Sequence, residues 1–163
     1  MKIISGGQTG VDRAGLDAAR KLGLPHGGWC PRGRRAEDGT IPSRYQLDET
    51  ASADYTVRTE RNVLDSDATL ILCRDAPSGG TLLTISLAER HGKPILVVDP
   101  DDIAGADRIA DWLREHDFPV LNVAGPRESQ SPGIAAAAER TLCDAFRGLD
   151  LPPEDSDPVG LTQ

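Results

Sequence analysis

The chain has 163 residues, 38% apolar and 27% charged, the balance of a single globular domain large enough to bury its own core. Aromatics are only 4%, so that core must come from Ala, Leu, Ile and Val. A formal net charge of −8 disfavours nucleic acid and anionic membranes as partners, and the odd, sparse set Cys30, Cys73 and Cys143 excludes a disulfide framework and suits a reducing cytoplasm.

Met1-Lys2 carries no signal-peptide pattern, and no later apolar run reaches membrane-spanning length. Residues 2–4 read as a short buried strand. A helix over 11–22 follows, with Leu16, Ala19 and Leu22 on one face, Thr9 and Asp12 as a T-x-x-D capping pair and Gly23 as its stop. Residues 26–29 suit a second strand. Residues 30–56 lack periodicity and read mostly as loop, a length usually reserved for function. A helix is expected over about 59–66, then a buried strand at "ATLILC" (68–73) and a helix over 81–90 closed by Gly92. Strand 94–99, helix 107–115 and strand 119–123 come next. Ser131 with Pro132 then predicts the start of a last helix, running to about 146.

Strands alternating with helices imply an α/β fold: a Rossmann-like three-layer sandwich with a mostly parallel sheet of about five or more strands. Residues 1–147 are expected to form one domain, and the Pro- and Asp-rich 148–163 a tail.

The unusual polar residues follow strands. "SGGQTG", "CPRGRR", "RDAPSGGT" and "NVAGPRES" each leave a strand's carboxyl end, the edge where open parallel sheets bind ligands. Two of these loops are glycine-rich and run into helix starts, where bare N–H groups and the helix dipole suit an anion. "GGQTGVD" has neither the lysine of a P-loop nor G-x-G-x-x-G spacing, so a tight strand-to-helix turn is the competing reading. Arg32, Arg34, Arg35 and Arg44 are either a solvated loop or oxyanion partners. Arg58 and Thr59 open a helix, Thr59 reading as an N-cap, and Arg127 is a turn residue with access to the same edge. Asp12 either caps its helix with Thr9 or holds Mg²⁺ or a ligand hydroxyl, with Glu60 the other metal candidate. No zinc set and no catalytic triad is recognisable.

In chain order, "SGGQTGVDRAGLDAA", "HGGWCPRGRRAEDGTIP", Y-x-L-x-E-T (45–50), "YTVRTERNVLDSDATLIL", "GGTLLT" and "LNVAGPRES" resemble the family named putative molybdenum carrier, also described as the circularly permuted YpsA-like branch of the SLOG superfamily. The likeness spans roughly residues 3 to 145. It implies a Rossmann-like homo-oligomer, dimer or tetramer, that binds a phosphate-bearing small molecule: molybdenum cofactor foremost, or a nucleotide-like ligand, with molybdoenzymes as recipients. Carried onto this chain, the implied site is Gly6, Gly7, Gln8, Thr9, Gly10 and Asp12, then Ser78, Gly79, Gly80 and Thr81, flanked by Arg32, Arg58, Thr59, Asn62, Asn122 and Arg127. The wider superfamily includes LOG-type phosphoribohydrolases with a catalytic Glu in P-G-G-x-G-T-x-x-E. Here "PSGGTLLTISLAE" puts Thr84 at that Glu position, so a carrier or sensor is expected rather than a nucleotide-hydrolysing enzyme.

Overall fold

Five strands lie side by side in one all-parallel sheet, seen in a computed structural model that describes residues 1–151. Most of the expected tail, 152–163, falls outside the described residues. The elements in chain order are β1 (Lys2–Ile4), α1 (Val11–Lys21), β2 (His26–Gly27), β3 (Trp29–Cys30), β4 (Arg35–Ala36), β5 (Gly39–Thr40), β6 (Asp48–Glu49), α2 (Tyr55–Asp65), β7 (Ala68–Leu72), α3 (Gly79–Arg90), β8 (Ile95–Val98), α4 (Gly105–Glu115), β9 (Val120–Ala124) and α5 (Ile134–Arg147). The sheet order is β2-β1-β9-β7-β8. Among the described residues no helix is long and apolar enough to cross a membrane.

Strand alternation assigns the two faces. Leu70 and Leu72 of β7, with Leu121 and Val123 of β9, join Val11, Ala14, Ile109, Ile134 and Leu142 in the main core beneath α1, α4 and α5. Val63, Leu87 and Ala88 form a second cluster where α2 packs on α3 across the other face. The intervening residues Thr69 and Asn122 stand opposite each other on that second face, and Asn122 Nδ2 donates to Thr69 Oγ1 at 3.3 Å. A polar pair thus replaces an apolar one at the sheet's centre.

Several boundaries differ from expectation for local reasons. The predicted strand over 26–29 breaks at Gly28, whose φ of 122° and Cβ position, 2.3 Å from Ser5 O, admit only glycine. Beyond it, β3 leaves the main sheet and pairs with β6. The presumed loop 30–56 also holds the antiparallel β4–β5 hairpin, around a small core of Leu16, Cys30, Ile41 and Tyr45. Helix α2 starts at Tyr55 because Asp54 caps it, accepting from Thr56 N at 2.9 Å. Thr59 is therefore no N-cap. Ser131 and Pro132 do not start α5; Gly133 does, and Glu128 supplies the cap by accepting from Gly133 N and from Ala135 N at 3.0 Å. Thr9 does not cap α1, which begins after Gly10 with no side-chain cap.

Candidate functional site

The carboxyl ends of β1 and β9 open into a cleft of about 320 Å³, walled by α2 and by the first turn of α3. The chain leaves β1 toward β2 and leaves β7 toward β8, so the strand order reverses between them. Such a reversal parts the connecting loops and makes the crevice in which open α/β sheets bind ligands. The expected convergence of loops on one edge is present for "SGGQTG", "SGGT" and "NVAGPR".

One face of α2 supplies a wall. Tyr55, Arg58, Thr59 and Asn62 recur at helical spacing and all line the cleft. Thr59 Oγ1 donates back to Tyr55 O at 2.8 Å. Asn62 spends its amide on β3, accepting from Trp29 N at 2.8 Å and donating to Trp29 O at 2.9 Å, so its role is structural. The Tyr55 ring has Arg58 at 5.5 Å and Arg127 at 5.8 Å from its centroid, which keeps both cations over the cleft.

The first glycine loop already cradles an anion of its own. The carboxylate of Asp12, on α1, accepts from Gln8 N at 3.3 Å and from Arg58 Nη1 at 3.1 Å. Burial pushes the Asp12 carboxyl above its ordinary value, against the opposing pull of Arg58 and of the loop amides. Gly7 N turns to Ser5 Oγ and Thr9 N to Gln8 Oε1, so these amides do not face the cleft. Gly6 must lack a side chain, because a Cβ there would sit 1.6 Å from Arg58 Nη1. Of this loop, Gly6, Gln8 and Asp12 line the cleft; Gly7, Thr9 and Gly10 do not. Thr9 instead hydrogen-bonds Glu37 and accepts from Glu128 N at 3.2 Å.

The second glycine loop is the open one. Gly80 and Thr81 line the cleft at the start of α3, and a Cβ on Gly80 would meet nothing within 4 Å. Gly79 holds a φ of 52° just before them, outside the lining. Ser78 lies in a neighbouring recess of about 70 Å³ with Cys73 and Arg74. Arg127 is set by its neighbours: Glu128 is fixed to α5, and Ser129 N donates to Glu37 at 3.1 Å.

The predicted arginine cluster does not reach this cleft. Arg34 points its guanidinium at the carbonyls of Ile41, Pro42, Tyr45 and Leu47, and its own φ is 53°. Arg44 lies over the Tyr45 ring at 4.7 Å, and Arg32 and Arg35 are exposed away from the lining. The positive charge comes from Arg58 and Arg127. Glu60 pairs with His91 at 3.1 Å off the cleft, and no group of three His, Cys, Asp or Glu suited to a metal occurs among the described residues. Lining residues missed in the sequence include Tyr55, Asp54, Thr84, Gly125 and Gln130. The spacing of Tyr55 ahead of Arg58, Thr59 and Asn62 was the available signal.

Two buried donors at the cleft have no partner among the described residues: Gln8 Nε2 and Arg58 Nε. Both suit the oxygens of a phosphate or an oxo-metal group, so the residues present fit the anionic parts of a molybdenum cofactor.

A five-stranded parallel sheet between helical layers, with a polar crevice at its strand reversal, defines a Rossmann-like α/β protein. Residues 3–146 match the circularly permutated YpsA SLOG family, and the chain belongs to that family. It is similar to a crystal structure from Syntrophus aciditrophicus SB named "Putative molybdenum carrier protein", at 49% identity and a TM-score of 0.83, covering 89% of this chain and 93% of that one. A more distant likeness, 25% identity over 114 residues, is to the 3-deoxy-manno-octulosonate cytidylyltransferase of Wolinella succinogenes. It covers 68% of this chain but only 44% of that relative, so the chain spans less than half of the relative's length.

Proposed function

We propose that the cleft binds a phosphate- or oxo-bearing small molecule, molybdenum cofactor foremost, and that the chain carries and protects it in the cytoplasm as a homo-oligomer serving molybdoenzymes. The observation that carries this reading is the pair of partnerless buried donors, Gln8 Nε2 and Arg58 Nε. Arg127 adds a second cation, and the Tyr55 ring gives a flat heterocycle a stacking partner. The name of the Syntrophus neighbour points the same way. The test is titration with the cofactor, followed by its transfer to an apo-molybdoenzyme after a delay in air. Saturable binding with prolonged survival is expected; no binding and no protection overturns the carrier reading.

The Tyr55 platform would serve a nucleotide or nucleotide-sugar as well as a pterin, as an enzyme or as a sensor. Against hydrolysis stands Thr84, whose hydroxyl donates to Gly80 O at 2.9 Å where a catalytic Glu would be needed. A nucleotide panel with added Mg²⁺ separates these readings. Turnover lost in Asp12→Asn favours the enzyme, and tight binding without turnover or cofactor protection favours the sensor.

A further inference from the structure

Gln8 lines the cleft, yet its amide orientation is dictated from outside it. Its Oε1 accepts two backbone N–H groups, from Thr9 at 3.1 Å and from Glu37 at 2.9 Å. Both are donors, so the end they hold must be the oxygen and the end left over must be the NH₂. That NH₂ has no acceptor among the described residues, although Gln8 is 6% exposed and lines the cleft. The residue therefore offers hydrogen-bond donors to a ligand and no acceptor.

Glu37 belongs to the turn of the β4–β5 hairpin, and that turn is fastened on both sides. Arg13 grips the Asp38 carboxylate with two nitrogens, at 2.6 and 2.8 Å. The Glu37 carboxylate accepts from Thr9, from Ser129 N at 3.1 Å and from the Ser129 hydroxyl. Hydrogen bonds from Ser129 and Thr9 hold the Glu37 carboxyl below its ordinary value. A hairpin outside the lining thus reaches Gln8 through the Glu37 backbone N–H, and the Arg127 turn through the Glu37 carboxylate on Ser129.

We propose that Gln8 selects an oxyanion oxygen of the ligand, and that the β4–β5 hairpin is the positioning element that turns its NH₂ toward that oxygen. This rests on the anion-binding reading of the cleft. Arg58 Nε supplies the companion donor, so the pair of donors fits an oxygen that carries no hydrogen.

The test is calorimetric titration of the full chain with inorganic phosphate and with molybdate. Gln8→Glu keeps the shape and keeps an oxygen for Thr9 N and Glu37 N, but turns the cleft-facing group into an anion. It should weaken binding of these probes by tenfold or more at temperatures where the variant stays folded, the loss expected for one charge-assisted hydrogen bond reversed. The melt is measured alongside, since a new buried carboxylate near Asp12 lowers the melting temperature. Gln8→Ala should weaken it less. Asp38→Ala, which frees the hairpin from Arg13, should weaken binding several-fold in the native background and not at all on top of Gln8→Ala. A purely structural hairpin would give equal losses in both backgrounds, and that result overturns the positioning role. Probe affinity in Gln8→Glu within twofold of the native chain overturns the selecting role. If the native chain itself binds neither probe, the oxyanion reading of the cleft falls and this inference with it.

Discussion

Asp12 and Arg58 meet at 3.1 Å across 46 positions of sequence, with side chains only 6% and 12% exposed. Their contact joins the first helix to the second and places a guanidinium over Gly6 with one nitrogen paired and another, Nε, unpaired. A buried pair of this kind contributes little against an apolar replacement, yet losing one member leaves the other charged and uncompensated.

Arg58→Met should therefore destabilise the fold by on the order of 3 kcal/mol at neutral pH. The deficit should shrink in acid. The folded-state value of Asp12 is already raised by burial, and losing Arg58 raises it further. A raised acid contributes stability below its unfolded value, near 3.8, and loses it as pH climbs through the folded value. Urea unfolding at several pH values checks this, and the double variant Asp12→Asn/Arg58→Met should recover most of the loss.

The same carboxylate should link ligand binding to protons. An anion accepted by Arg58 Nε raises the Asp12 value again, so up to one proton is taken up on binding and affinity rises as pH falls. Calorimetry in buffers of different ionisation heat measures the uptake directly. In Asp12→Asn the uptake should vanish.

Two glycines of one loop should fail in different ways. A Cβ on Gly6 would sit 1.6 Å from Arg58 Nη1 and 2.9 Å from Asp12 Oδ2, so Gly6→Ala should lose ligand affinity at least tenfold and, by parting the buried pair, lose stability as Arg58→Met does. A Cβ on Gly10 would lie 2.3 Å from Pro126 O at a φ of 80°, so Gly10→Ala should cost about 2 kcal/mol or more of fold stability. Paired thermal melts and titrations at several pH values distinguish the two: the Gly6→Ala loss should shrink in acid as that of Arg58→Met does, and a Gly10→Ala loss that shrank likewise would contradict the assignment.

Gly80→Val is expected to abolish binding while the fold survives. The added side chain finds empty space in the cleft and touches no protein atom within 4 Å of its Cβ, so stability should change by about 1 kcal/mol at most. Unchanged affinity in the folded variant would remove the start of α3 from the site.

The parallel sheet was legible because "ATLIL" and "PILVV" are uninterrupted apolar runs with turn residues on either side, and the structure places β7 and β8 within them. The short pairings between residues 29 and 49 were not, since two-residue strands carry no period. At the cleft, Arg58 and Thr59 were located through the family resemblance, since their pattern alone reads as a solvated helix start, and Arg127 through its turn after a strand; all three line the cleft. Arg32, expected at the cleft, is exposed away from it, and the open question of Arg34 is answered by a contact no local pattern shows: the backbone folds back at 30–50 and offers Arg34 its carbonyls. Sequence also could not reveal that Asp12 would fill the glycine loop, because the contact depends on Arg58 arriving from another helix. Asn62 reached the expected wall, but its amide was claimed by Trp29.

The position of β9 bears on how the molecule is made. This strand is the last among the described residues and occupies the middle of the sheet, between β1 and β7. During synthesis the first strand must wait for residues 120–124 before its inner edge is paired, and the two halves of the sheet stay apart until then. Asn122, Ala124, Gly125 and Arg127 arrive in that same stretch. A nascent chain lacking it exposes unpaired strand edges and an incomplete cleft, so ligand capture can begin only once residues 120–127 have been made.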